Sequence, residues 1–281
     1  MRLFSKTYIN SIIGKYKSII FNLKFNVIKY NKEIKMKLLL KFSLKNPLLP
    51  MDYRKVLMSY IKSTLSAPLD GKFFNQVYDV PKVRPLTFAV RLPNPNFADN
   101  KIILSANRME VTISTGDQTL GYVFFFTLIG QKRKAFKMPL ENQMTLSDVT
   151  QLRENLSESD KALVKMLSPL CLREHFKEEK KDIYYSVNSK NFSEKSSEIL
   201  CRQLKSAGFS DELSEGIRLV PIMSKKTVVT HYGSKIECSL GNFVIQAKDK
   251  AVINHFLKYG IGSRKSAGFG FAELISDGLE V

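Results

Sequence analysis

Twice along this chain the apolar residues change spacing in the same order: strand, helix, strand, strand, helix, strand. Each change of period decides which faces can be buried, so the order narrows the fold more than any single residue does. The first pass opens at Met36 with Lys37-Leu38-Leu39-Leu40-Lys41-Phe42-Ser43-Leu44, a strand. After Asn46-Pro47 and Pro50, a helix is predicted from Met51 to Ser66. Tyr53, Val56, Leu57, Tyr60, Ile61 and Leu65 fall on one side of it, and Lys55, Ser59, Lys62 and Ser66 on the other. Pro68 and Gly71 stop that helix. A basic connector (72–84) leads to strands near 86–92 and 101–105, then to Met109–Ser114, which alternates cleanly. The segment 117–131 fits either a helix or a buried strand. The order of elements favours the helix, while its Phe run and Gly121 weaken it.

The second pass runs from a strand at Ala162–Leu172 to a helix at 191–207 carrying Phe192, Ile199, Leu200 and Leu204. Strands at 217–232 and 235–246, a helix at 248–259 and a last strand at 269–275 complete it. Two β-α-β-β-α-β units in succession make an α+β protein of tandem ferredoxin-like (RRM-like) architecture. The expected domains are 36–155 and 156–281, preceded by a basic extension, 1–35. That extension is rich in Lys, Asn, Ile, Tyr and Phe and carries eight basic residues against one acidic. It reads as an amphipathic basic arm, as a transit peptide poor in Arg, or as sequence upstream of a natural start at Met36; the last is favoured.

Charge limits the partners. With 44 Lys and Arg against 26 Asp and Glu, the net charge is +18. Without residues 1–35 it is still about +11. Such an excess suits a polyanion or an acidic surface, and says nothing of fold. The longest apolar run, Gly121–Gly130, is about half of what a bilayer span needs, so no membrane role is expected. Cys171, Cys201 and Cys238 are far apart, with no C-x-x-C and no Cys/His cluster. No metal and no cofactor is expected, and core thiols fit a reducing cytoplasm. The chain has no P-loop, H-E-x-x-H or G-x-S-x-G.

The most specific motif lies near the C-terminus, Gly260-Ile261-Gly262-Ser263-Arg264-Lys265-Ser266-Ala267-Gly268-Phe269-Gly270-Phe271. Glycines let a backbone turn tightly and approach a ligand, and successive N–H groups beside two cations suit a phosphate. The spacing G-x-G-S-R-K-S-x-G-F-G-F resembles the terminal signature of the CRISPR-associated repeat-processing endoribonucleases, members of the RAMP superfamily of RNA-binding proteins. The element order agrees with that resemblance over 36–281. It implies an endoribonuclease that binds the repeat hairpin of precursor CRISPR RNA and cuts at the base of the stem. The products would carry a 5′-hydroxyl and a cyclic phosphate, and no metal would be needed. It also implies partners among other interference-complex subunits, with the protein itself a monomer or homodimer. A RAMP subunit that holds guide RNA without cutting is the alternative.

By the same resemblance, Gly260, Gly262, Ser263, Arg264, Lys265, Ser266 and Gly268 contact RNA. The basic run Lys132-Arg133-Lys134 suits stem phosphates, though it also reads as a solvated loop. Attack of a 2′-hydroxyl needs a base, an acid and cations around the phosphorane. Family members often supply a histidine after the first helix, and here Asn75 stands in its place. Members lacking it use lysine, tyrosine and arginine, which makes Lys62, Tyr78, Lys82 and Arg84 the candidate catalytic residues, with Lys55 beside them. Lys55 and Lys62 equally read as the solvated side of their helix. The three histidines, His175, His231 and His255, all lie in the second half, and only His231 is expected near a cleft between domains.

Overall fold

The computed structural model describes residues 36–66, 85–176 and 178–278. Asn75, Tyr78, Lys82, Arg84 and the extension 1–35 lie outside the described residues. The first half is a five-stranded antiparallel sheet in the order β3-β6-β1-β8-β7. Its strands are β1 (Met36–Leu44), β3 (Thr87–Arg91), β6 (Arg108–Thr115), β7 (Ala135–Met138) and β8 (Asn142–Leu152). Leu38, Leu40, Phe42 and Leu44 alternate along β1 and are each at most 6% exposed. They pack in one cluster with Leu57, Ile61 and Leu65 of helix α1 (Tyr53–Ser66) and Phe124 and Leu128 of helix α2 (Gln118–Gln131). Tyr60 meets Phe42 and Phe136 edge-on, both at 5.3 Å between ring centroids. Segment 117–131 is therefore a helix. Asp117 starts it by accepting a hydrogen bond from the Leu120 N–H at 2.9 Å. Its periodicity was weak because it is apolar all round: Phe124 is buried while Phe126 and Ile129 are exposed. A small sheet of β2 (Leu48–Pro50), β4 (Asn96–Phe97) and β5 (Lys101–Ile103) flanks this half.

The second half repeats the order. Strands β9 (Lys161–Met166), β12 (Arg218–His231), β13 (Ser234–Gln246) and β14 (Ala272–Asp277) form a sheet ordered β12-β13-β9-β14. In both halves the second, third, first and fourth core strands lie side by side, the ferredoxin-like order. Leu200 and Leu204 of helix α3 (Phe192–Ser206) and Val252 and Phe256 of helix α5 (Lys250–Tyr259) cover it, packing on Val164, Phe243 and Ile245. A four-residue helix, α4 (Asp211–Ser214), follows α3. The strand expected at Ala162–Leu172 ends at Met166, and its last residues lead into a hairpin, β10 (Leu172–Phe176) with β11 (Lys181–Tyr185). The final strand begins at Ala272 because Gly268–Phe271 belong to the turn before it.

The long hairpin β12–β13 joins the halves. β13 pairs with β9 only over Asn242–Gln246, and the rest of the hairpin reaches onto the first half. Val229, Ile236 and Cys238, together with Cys171, Ala267 and Phe269, share one buried cluster with β1 and α1. No helix among the described residues is long and apolar enough to cross a membrane.

Candidate functional site at the junction of the two halves

The glycine-rich turn lies at this junction, wedged rather than open. Gly260, at φ 83°, ends α5 and returns its N–H to the Phe256 carbonyl at 2.8 Å. The N–H groups of Ile261, Gly262, Ser263, Gly270 and Phe271 reach Gly270 O, Gln203 Oε1, Cys171 O, Pro169 O and Ser168 Oγ, all within 2.9 Å. These donors are spent on protein, not on a ligand. The glycines serve close packing: a Cβ on Gly268 would lie 2.5 Å from the Phe88 ring, and one on Gly270 2.0 Å from Ile261 O. Gly260, Gly262 and Gly268 are buried, and Ser263 and Ser266 half-buried. The N–H groups of Arg264, Lys265 and Ser266, which open a short 3₁₀ turn, have no acceptor among the described residues.

Arg264 and Lys265 go separate ways. Arg264 Nη2 donates to Asp182 Oδ2 at 3.2 Å and to the Tyr184 hydroxyl at 2.8 Å. Asp182 also accepts from Arg173, from His175 and from the Tyr184 hydroxyl. Burial alone would raise its carboxyl, but these hydrogen bonds outweigh burial and bring it to about 2. Lys265 is 7% exposed and has no ion pair among the described residues. Burial pushes its ammonium down to about 8.

The first half meets the turn through the start of α1 and β3. Arg54, itself buried, donates Nε–H to Gly268 O at 3.2 Å and lies over the rings of Tyr53 and Phe269. Thr87 Oγ1 donates to Phe269 O at 3.1 Å. Asp52 Oδ2 accepts the Tyr232 N–H at 2.7 Å, and its other oxygen lies 3.5 Å from His231 Nδ1. Lys37 bonds Glu273 across the same boundary. His231 is thus between the halves, where burial lowers its pKa against the opposing pull of Asp52. His255 stacks near Tyr259 and Phe209, and burial lowers it to about 4. His175 stands on β10.

Of the candidate catalytic residues, Lys62 is half-buried near the end of α1, and Tyr78, Lys82 and Arg84 lie outside the described residues. Lys55 is exposed, its ammonium 5.6 Å from the centre of the Tyr232 ring. Lys132, Arg133 and Lys134 form the turn from α2 to β7, where Lys132 pairs with Asp148 at 3.2 Å and the other two are exposed. They are not brought to the glycine-rich turn. β7 and β3 are opposite edges of the sheet, separated by four strand spacings, or roughly 19 Å. Sequence reasoning missed Asp52, Arg54, Thr87, Asp182 and Tyr184. For the last two a signal existed, since Asp182-Ile183-Tyr184 sets an apolar residue between two that carry polar groups, as a strand does. Among the described residues no group of His, Cys, Asp and Glu could hold a metal ion.

Two ferredoxin-like halves closed by a C-terminal glycine-rich turn are an arrangement shared with solved structures. The chain resembles a structure described as an RAMP protein binding different RNA substrates, with TM-score 0.71 and 18% identity over 86% of this chain and all of that one. It is equally similar to the product of a Cas6-related gene from Pyrococcus furiosus, with TM-score 0.73 and 19% identity over 86% of this chain and 99% of that one. A Cas6 product complex matches at TM-score 0.65 and 13% identity, over 86% of this chain and all of that one. At these identities the likeness is one of fold. No curated protein matches in sequence. Residues 152–274 match the family model of CRISPR associated protein Cas6, C-terminal. That match lies on the second half, and the likeness of fold extends over both halves of the chain.

Proposed function

We propose that this protein binds the repeat hairpin of a precursor CRISPR transcript and cuts it at the base of the stem. The family match over residues 152–274 carries the reading, because that segment includes the turn with Arg264, Lys265 and Ser266. The basic net charge supports a polyanionic partner. The 2′-hydroxyl attacks the adjacent phosphate, giving a cyclic phosphate and a 5′-hydroxyl without a metal. Lys62, Tyr78, Lys82 and Arg84 serve that step, the cations offsetting charge on the phosphorane. Lys132, Arg133 and Lys134 hold stem phosphates from the far edge of the sheet. The reaction belongs in the cytoplasm, with precursor RNA and other interference-complex subunits as partners.

Purified protein incubated with repeat RNA in EDTA tests this. Cleavage to a 5′-hydroxyl product is the expected result. Tight binding without cleavage would instead favour a subunit that holds guide RNA, a reading which Asn75 in the histidine's place supports. Alanine at Lys62, Lys82 and Arg84 should each slow cleavage. If all three variants cut at the wild-type rate, the catalytic assignment is wrong.

A further inference from the structure

The β10–β11 hairpin holds a constellation that this reading leaves unused. His175 and Asp182 are directly opposite across the strands, with His175 Nδ1 2.7 Å from Asp182 Oδ1. A neutral imidazole facing a carboxylate keeps its proton on that nitrogen and its lone pair on the other. The His175 side chain is 46% exposed, so Nδ1 is pinned while the ring opens to solvent. The same carboxylate accepts from Tyr184 at 3.0 Å, Arg173 at 3.2 Å and Arg264 at 3.2 Å. Two guanidiniums against one carboxylate leave a net positive charge beside the ring. Each arginine has five N–H donors and spends only part of them on Asp182. A simple cross-strand ion pair needs one cation, whereas here two cations, an imidazole and a phenol converge.

The hairpin also adjoins the junction. Cys171 O, at its base, accepts the Ser263 N–H at 2.7 Å, and Tyr184 packs against the core of the first half. Arg264 of the glycine-rich turn is therefore part of the cluster.

We infer that His175 is the proton acceptor in RNA cleavage, with Asp182 as its positioning residue and Arg173 and Arg264 holding the phosphate. This rests on the RNA-cutting reading above and moves its base to the second half, a role Asn75 is unable to fill. Nε2 takes the 2′-hydroxyl proton as that oxygen bonds to phosphorus. The bond from phosphorus to the 5′-oxygen breaks, and the departing oxygen takes a proton from water. The hydroxide so formed recovers the proton from the imidazolium. The cyclic phosphate and 5′-hydroxyl account for all atoms, with nothing oxidised or reduced.

The test is single-turnover cleavage of repeat RNA by wild type, His175→Ala and His175→Gln, with binding measured in parallel. Glutamine keeps a donor for Asp182 but transfers no proton. Both variants should slow cleavage by on the order of 100-fold with near wild-type affinity. Added imidazole should restore part of the rate to His175→Ala and none to His175→Gln. Wild-type rates in both variants, or a His175→Gln protein that cuts normally, overturn this inference and leave RNA cutting intact. Affinity lost in parallel with rate also overturns it, making His175 a contact residue only. A wild-type protein that binds repeat RNA without cutting overturns the RNA-cutting reading and this inference together.

Discussion

Lys265 holds its ammonium at 7% exposure with no carboxylate to answer it among the described residues, and that has a measurable cost. Its folded-state pKa is about 8, against 10.5 for an unperturbed lysine. Below pH 8 the group is charged in both folded and unfolded chains. Between pH 8 and 10.5 the unfolded chain holds a proton that the folded one has released, so stability rises through that window. It is lost again as pH falls back through 8. The shift corresponds to about 3 kcal/mol. Lys265→Met should therefore be the more stable protein at pH 7, by up to about that amount, with the advantage vanishing towards pH 10.5. Urea unfolding at pH 7, 9 and 10.5 measures it, and an unchanged difference between the two proteins across the series would refute the argument. Adjacent in sequence, Arg264 and Lys265 read alike as cations for phosphate. Nothing in their spacing says that one extends to Asp182 while the other is packed inward.

At the level of elements, the glycine-rich turn is a packing device. Its glycines fall into places where a side chain has no room. Gly270 combines φ 70° with a carbonyl oxygen 2.0 Å from the position of a Cβ. Gly208, at φ 91°, has nothing within 4 Å. Gly208→Ala should cost only the left-handed backbone, roughly 1 kcal/mol. Gly270→Ala must also push apart the Ile261–Gly270 contact, so its thermal midpoint should fall several times further. Equal midpoints for the two variants would show that the turn yields easily. The motif was legible because glycine spacing survives in one dimension. Elements with a clean period were legible too, such as β1, α1 and β13. Helix α2 was ambiguous because burial does not follow one stripe on it. The β10–β11 hairpin was hidden because its alternation is among charged and aromatic residues, and a charge-rich stretch reads as a loop.

Across the whole molecule, the repeated order of elements predicts two domains in succession. The order holds, but the cores are not independent. Val229, Ile236, Cys238, Ala267 and Phe269 all come from the second half and complete the cluster beneath β1 and α1. Periodicity reports that such residues are buried and is silent on which sheet buries them. Polar contacts seal the same boundary: Arg54 to Gly268 O, Thr87 to Phe269 O and Asp52 to the Tyr232 N–H. Unfolding one half alone would strip those groups of their partners and expose the shared apolar surface, so the halves should melt together. Calorimetry of the full chain should give one transition. Phe269 is fully buried, with His231 edge-on at 5.4 Å and the Arg54 guanidinium at 5.1 Å. Phe269→Ala should cost about 3–5 kcal/mol and lower that transition by roughly 10 °C without splitting it. Leu200→Ala, at a fully buried site within the second core alone, should move the same transition. Two resolved peaks, with each variant shifting a different one, would mean that the junction is a docking contact between separate domains rather than a common core.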